Sequence, residues 1–337
     1  MCKDTKKNTT LNTKLSTFLY LCSRMKTIYL QQDQWEPTPC VATIGTFDGV
    51  HQGHRFVISC LKQEAERLQL PSCVITFDRH PKSAPGHLLT TLDEKLMLLS
   101  QTDIDLCVVL PFHQEMAALS AYDFMQEVLK QQLSVRMLLV GYDNHFGHRT
   151  PGKTEHFADY QRYGQQLGID VQQLPSAPSH DGKTVNSSVI RQLLSEGRIE
   201  EANDALGFPY SIIGTVVSGE HIGTHLGFPT ANLQPNDPLK LIPANGVYAV
   251  KVRLESSLEQ KHAMANIGRR PTFDGSCTTL ETHILRHEGE LYGQQIAVSF
   301  IHRLRDEQRF ETPEALAEQL QRDAQTAEEL LTNDIDE

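Results

Sequence analysis

From Thr27 to about Leu174 the chain alternates short apolar runs with stretches whose apolar residues recur every three or four positions. The runs Val41–Ile44, Cys73–Phe77, Leu106–Leu110, Met137–Val140 and Ile169–Leu174 predict strands, and Lys26–Leu30 predicts a first strand before them. Between them, 56–68, 92–100, 121–132 and 156–167 carry a helical period; Phe56, Val57, Cys60, Leu61, Ala65 and Leu68 would share one buried face. Strands alternating with helices imply a doubly wound, Rossmann-like parallel sheet, with ligands at the carboxyl ends of its strands.

Past Tyr210 the texture changes. Short strand-like runs at 211–217, 246–253, 262–266, 279–285 and 295–300 are separated by Gly, Pro and Asn turns, and no helical pattern interrupts them. That spacing predicts an antiparallel β-barrel. A terminal helix then starts at Thr312 as N-cap with Pro313 behind it, and Leu316, Leu320, Ala324, Ala327 and Leu331 form its apolar stripe. The pattern divides the chain into an α/β domain over 25–188, a helical connector over 189–209 and a barrel domain over 210–337. Residues 1–24 stand apart as a disordered extension or the product of an upstream start, with Met25 as the natural first residue; their apolar stretch is too short for a signal peptide.

A length of 337 residues suits two domains with a core each. A formal charge of −11 argues against non-specific nucleic-acid binding, so positive charge must be concentrated locally or imported as Mg²⁺ wherever phosphates are handled. Seven cysteines without a CxxC pair fit a reducing cytoplasm, and no segment approaches the ~18 apolar residues of a membrane span.

Against that background one string carries chemistry. The run Val41–Ile44 breaks into Gly45-Thr-Phe-Asp48-Gly-Val-His51-Gln-Gly53-His54, where a helical pattern opens. A strand feeding a helix N-terminus through a glycine turn makes an anion site, and two imidazoles there can hydrogen-bond phosphate oxygens. His51-x-Gly-His54 by itself also fits two surface histidines on a loop. The longer string, with Phe47 and Asp48, resembles the bacterial bifunctional riboflavin kinase/FMN adenylyltransferases (FAD synthetases), within the nucleotidylyltransferases that carry HxGH.

Further strings are similar to that family's segments in the same order. Thr76-Phe-Asp-Arg-His80-Pro81 and Gly141-Tyr-Asp143-Asn-His-Phe-Gly147 resemble segments bordering the nucleotide and flavin sites, although Asn144 replaces the usual aromatic. Asn186-Ser187-Ser188-Val-Ile-Arg191 resembles a phosphate clamp in which Ser188 stands for Thr and Asn186 for Ser. In the second half, Gly223 and Gly227-Phe-Pro229-Thr230-Ala-Asn232 resemble the riboflavin kinase signature. The segments at Asn245-Gly-Val-Tyr-Ala249, Ala265–Phe273, Leu280-Glu281-Thr-His-Ile284, Leu291-Tyr-Gly293 and Leu304-Arg305-Asp306 follow it.

The resemblance implies two activities: riboflavin and ATP give FMN, then FMN and ATP give FAD and pyrophosphate. It implies that His51, His54 and Arg191 serve adenylyl transfer, with Gly45, Phe47, Asp48, Gly53, Ser187 and Ser188 around the ATP phosphates. Glu281 would be the kinase base; Gly223, Gly227, Pro229, Thr230 and Asn232 would bind its ATP, and Thr230 and Asn232 its Mg²⁺. His80, Asp143, Asn245 and Arg305 would face flavin, although for Arg305 a structural pair fits equally. Two rivals stay open at this level: a nucleotidylyltransferase for another phosphorylated substrate, and a flavin-binding regulatory protein. The sequence leaves oligomeric state open.

Overall fold

The computed structural model describes residues 25–79, 84, 86–142, 146–147, 155–176, 185–219, 227–255, 257, 259–272 and 275–333, with the side chains of 270–277 outside that set. The expectations for residues 1–24, His80, Asp143 and Gly223 therefore lie outside the described residues.

The first half forms one parallel sheet of six strands: β1 (Lys26–Tyr29), β2 (Cys40–Ile44), β3 (Ser72–Phe77), β4 (Leu106–Leu110), β5 (Val135–Val140) and β6 (Asp170–Gln173). Its order is β1-β4-β3-β2-β5-β6. The chain runs outward from β2 through β3 to β4, then returns to the other side of β2 for β5 and β6. The strand order reverses at β2, so the turn after β2 lies at the topological switch point where doubly wound sheets bind ligands.

Alternating residues of each strand feed two cores. Ala42, Ile44, Cys73, Ile75 and Val108 face the helical segments at 121–132 and 157–167. Val41, Val74, Cys107, Val109 and Leu139 face α1 (Gln52–Leu68) and α2 (Leu92–Ser100), which contribute Ile58, Leu61, Ala65, Leu96 and Leu99. The helix expected over 121–132 begins with one α turn and continues with the wider π-type bond pattern over Phe124–Gln132. The spacing of side chains does not reveal that change in pitch.

The helical connector is two helices, α3 (Ser187–Ser195) and α4 (Ile199–Leu206). They are separated at Gly197, whose φ of 74° is left-handed. Ile190, Leu193, Leu194, Ile199, Ala202 and Leu206 join the core of the second domain. That domain is a closed barrel in the order β10-β11-β8-β7-β12-β9, every pair antiparallel. Its strands are β7 (Ser211–Val217), β8 (Ala231–Pro235), β9 (Gly246–Leu254), β10 (Gln260–Thr272), β11 (Gly275–Ile284) and β12 (Gln295–Arg305). The terminal helix α5 (Pro313–Asn333) starts as expected, with Ala315 N–H donating to Thr312 Oγ1. Ala327 and Leu331 pack on Ala249 and Met264 of the barrel.

A buried ion pair joins the domains. Lys240 Nζ lies 2.7 Å from Glu94 Oε2 and also donates to Leu89 O. Glu94 closes the capping box of α2 with Thr91 and accepts from Ile213 N–H of β7. Backbone bonds Leu88 N–H to Leu239 O and Leu241 N–H to Leu88 O flank the pair. Removing one partner of such a pair strands a charge in a dry interior. Lys240→Met is expected to cost about 3–5 kcal/mol in chemical denaturation, and adding Glu94→Gln should recover most of it.

Candidate active sites

In the α/β domain the chain leaves β2 through a strained turn. Phe47 and Val50 have φ of 48° and 41°, and Gly49 has 87°. A β-branched residue in the left-handed region is an outlier that surrounding structure must enforce, and such strain gathers at functional sites. Gly49 has no room for a Cβ, which would sit 2.9 Å from Leu89 Cδ1. The turn delivers His51 as N-cap of α1, where its Nδ1 accepts from His54 N–H. The two imidazoles stack with centroids 3.7 Å apart, and the Phe47 ring lies 5.1 Å from His54.

A second helix start meets the first. Asn186 caps α3 by accepting from Val189 N–H, and Ser187 Oγ donates to Asp48 O. A Cβ on Gly53 would lie 3.3 Å from Val185 O, which measures how closely the two helix starts approach. Two N-termini aimed at one region add their unpaired N–H groups and dipoles. Arg191, on the first turns of α3, donates from Nη2 to Asp48 Oδ2 and from Nε to His87 O. Nη1 has no bond among the described residues. Ser188 is exposed at the same end.

Asp48 sits in this site with a task other than phosphate contact. Its carboxylate is 3% exposed and accepts from Leu89 N–H, Thr90 N–H, Thr90 Oγ1 and Arg191. With its acceptor capacity filled, it holds the arginine and the 87–90 loop rather than a ligand. Burial first, then His51 and Lys95, push the His54 pKa well below the usual histidine range. His54 is therefore neutral at neutral pH, a hydrogen-bonding ring rather than a fixed cation, and its Nδ1 is buried with no partner among the described residues.

In the barrel, β11 and β8 place Glu281 directly opposite Asn232. Glu281, Thr230, His283 and Arg305 line a cavity of about 800 Å³ together with residues 307–313 and Leu316 and Leu320 of α5. His283 Nδ1 is 2.8 Å from Pro229 O and its ring meets Phe228 edge-on, which orients the Gly-Phe-Pro-Thr segment. Asn245 precedes β9, and its amide reaches Glu307 at 3.5 Å. Arg305 stands on the cavity wall with its guanidinium taken up by Asp323 of α5 through Nε and Nη2. Its observed bonds tie the barrel to the terminal helix.

Family comparisons cover both halves of the chain. A family model described as FAD synthetase matches residues 33–189, and one described as riboflavin kinase matches 206–331. The bifunctional riboflavin kinase/FMN adenylyltransferase of Haemophilus influenzae is 36% identical over 294 residues, covering 86% of this chain and 93% of its own. That of Bacillus subtilis is 32% identical over 322 residues, 92% of this chain and 99% of its own. The chain belongs to the bifunctional riboflavin kinase/FMN adenylyltransferase family.

A solved structure titled as a macrolide-efflux protein from Streptococcus pneumoniae is 29% identical, with a TM-score of 0.79, covering 90% of this chain and 98% of that one. It shares the two-domain architecture. Among the described residues here, no helix is long and apolar enough to cross a membrane.

The signature strings lie at both candidate sites; Lys95 lies outside all of them. It lies in Asp93-Glu94-Lys95, a charge cluster that reads as the solvated face of a helix. In the fold, Glu94 and Lys95 are both buried.

Proposed function

We propose that the barrel domain converts riboflavin and ATP to FMN and ADP, and that the α/β domain converts FMN and a second ATP to FAD and pyrophosphate. The observation that carries this reading is the pair of independent phosphate sites. One has Glu281 on β11 paired with Asn232 on the neighbouring strand β8, beside a cavity between the barrel wall and α5, and the other has His51 and His54 at the switch point of the sheet. The division into 25–188, 189–209 and 210–337 gives adenylylation to the first unit and phosphorylation to the last, with Arg191 of the connector completing the first site.

In the barrel, the ribityl 5′-oxygen attacks the γ-phosphorus, the bond from that phosphorus to the bridging oxygen of ADP breaks, and Glu281 takes the hydroxyl proton. Gly223, Gly227 and Pro229 shape the ATP loop, and Asn245 and Arg305 border the flavin. Thr230 and Asn232 offer neutral, hard oxygens, and the described residues hold no cluster of three acidic, histidine or cysteine ligands. That donor set suits Mg²⁺, which keeps most of its bonds to water and phosphate; bound there it would neutralise charge on the transferring group.

In the α/β domain, an FMN phosphate oxygen attacks the α-phosphorus and the bond to pyrophosphate breaks. No proton needs to move, so catalysis is positioning and charge neutralisation. His51 and His54 hydrogen-bond the phosphates, Ser187, Ser188 and the N–H groups of α3 hold the leaving group, and Arg191 supplies the cation. Gly45, Phe47 and Gly53 form the floor, and the family resemblance adds His80 and Asp143 as flavin-binding residues. The charge of −11 and the buried free thiols Cys40, Cys73 and Cys107 support a cytoplasmic small-molecule enzyme that uses neither nucleic acid nor membrane.

Purified protein with riboflavin, ATP and Mg²⁺, followed by chromatography, should produce FMN first and FAD after it. FMN alone would leave the α/β domain to another phosphorylated substrate. Bound flavin without product would favour a regulatory protein.

A further inference from the structure

Lys95 is the fourth residue of α2 and is 8% exposed. Its ammonium donates to Thr46 O at 3.2 Å, Thr76 Oγ1 at 3.1 Å and Phe77 O at 3.0 Å, which uses all three N–H groups. Thr46 belongs to the strained turn after β2, and Thr76 and Phe77 end β3. Thr76 Oγ1 also donates to Thr46 O, so one side chain fastens both strand ends.

All three acceptors are neutral. Among the described residues no carboxylate lies within ion-pair distance of Lys95, and Asp48, a nearby acid, is already bound by Arg191. The position is costly on two further counts: the ammonium is buried, and it stands in the first turn of a helix, where the dipole disfavours a cation. Neutral donors could satisfy two carbonyls and a hydroxyl without these costs. What a lysine adds is a charge held in no ion pair among the described residues, with Asp48 and Asp78 acting on it only from a distance. That charge lines a cavity of about 460 Å³ at the carboxyl ends of β2 and β3, together with Thr46, Asp48, Asp78, Arg79 and Asp237.

We propose that Lys95 is a positioning residue for adenylyl transfer: it clips the signature turn to the end of β3 and sets a buried ammonium in the wall of an otherwise acidic strand-end cavity, where a phosphate-bearing substrate would meet it. The inference rests on the adenylyl-transfer reading of the first domain. A substrate bringing several phosphate charges meets a cation that no carboxylate holds in an ion pair, and the same group fastens the turn that carries His51 and His54. The field of Lys95 also helps to keep His54 neutral.

The groups facing Lys95 set its titration. Burial lowers its pKa from the usual lysine value to about 8, while Cys107 on β4, Asp48 after β2 and Asp78 after β3 oppose the shift. His54 faces it from α1, and Arg79 and Asp237 share its cavity. Between pH 8 and the model-peptide lysine value the unfolded chain binds more protons at this site than the folded one. The contribution of Lys95 to stability therefore rises as pH rises through that window. Activity should move the other way, because the ammonium is being lost. A purely structural lysine would give no such opposition.

The test is kcat/KM for FMN conversion to FAD against pH, on full-length wild type, Lys95→Arg and Lys95→Met, with riboflavin phosphorylation measured on the same samples. Wild type should lose adenylylation on an alkaline limb near pH 8, and Lys95→Arg, which stays charged, should lack that limb. Lys95→Met should fall about 10²-fold at neutral pH with kinase activity unchanged. A flat wild-type profile through pH 8, the same limb in Lys95→Arg, or full activity in a folded Lys95→Met would overturn the proposal. If Lys95→Met fails to fold, the two pH profiles still decide. Wild type that never converts FMN would instead refute the adenylyl-transfer reading itself.

Discussion

Glu281→Gln is expected to lower riboflavin phosphorylation by about 10²–10⁴-fold, the usual range for loss of a general base, while adenylylation of supplied FMN proceeds at its wild-type rate. The asymmetry follows from where Glu281 stands. It stands on β11 beside Asn232 of β8, lining the cavity between the barrel wall and α5, and takes no part in the sheet that carries His51 and His54. The substitution keeps shape and hydrogen-bonding length, so substrate affinity should change little and the loss should appear in kcat. Assaying each half-reaction separately on one preparation makes the comparison internal. Equal loss of both activities would refute the assignment of the two reactions to two sites.

Asp48→Ala should produce the mirror image, with a larger structural cost. Asp48 is the buried counter-ion of Arg191 and the acceptor for two backbone N–H groups of the 89–90 segment. Its removal leaves a guanidinium and those donors without their partner, a loss of about 3–5 kcal/mol for a broken buried pair. For a domain of this size that is a fall in Tm of about 6–20 °C, readable by calorimetry. Adenylylation should drop steeply because Arg191 loses the contact that aims it. The kinase should persist at temperatures where the barrel remains folded. Wild-type adenylylation in this variant would mean that Arg191 is positioned by its bond to His87 O alone.

Much of this was legible in the residues. The alternation between periods in the first half located every strand of the parallel sheet: the inner strands β2 to β5, buried on both faces, leave near-continuous apolar runs, whereas the part-exposed edge strands β1 and β6 are marked by short apolar stretches at the expected spacing. The glycine turn ending in His51 and His54 announced a helix start, and Thr312-Pro313 announced the terminal helix. Strand β8 was missed because it begins inside Gly-Phe-Pro-Thr-Ala-Asn, a string dominated by turn residues. Residues 189–206 were read as one helical stretch because the left-handed conformation of Gly197 is a matter of backbone, not of pattern.

What stayed hidden was polar pairing across long stretches of chain. Asp48 was recognisable as a site residue, but a sequence does not reveal that its acceptors are filled by Leu89, Thr90 and Arg191. Arg305 was visible as a charge beside the flavin segment; its partner Asp323 lies 18 positions away on another element. Glu94 and Lys240 are 146 residues apart and each, alone, reads as a surface charge.

Helix α3 serves two masters. Its first turns carry Ser187, Ser188 and Arg191, the clamp proposed for the sheet's active site, whereas Ile190, Leu193 and Leu194 on its other side are core of the barrel, and Leu194 O receives the N–H of Ala244 beside Asn245. Any cut that leaves this helix with the barrel strips the adenylylating half of its phosphate clamp. A cut that leaves it with the sheet opens a hole in the kinase. The two enzymes thus share an indivisible part, and a lineage that sought to run them from separate genes would have to duplicate α3 before it could divide the chain.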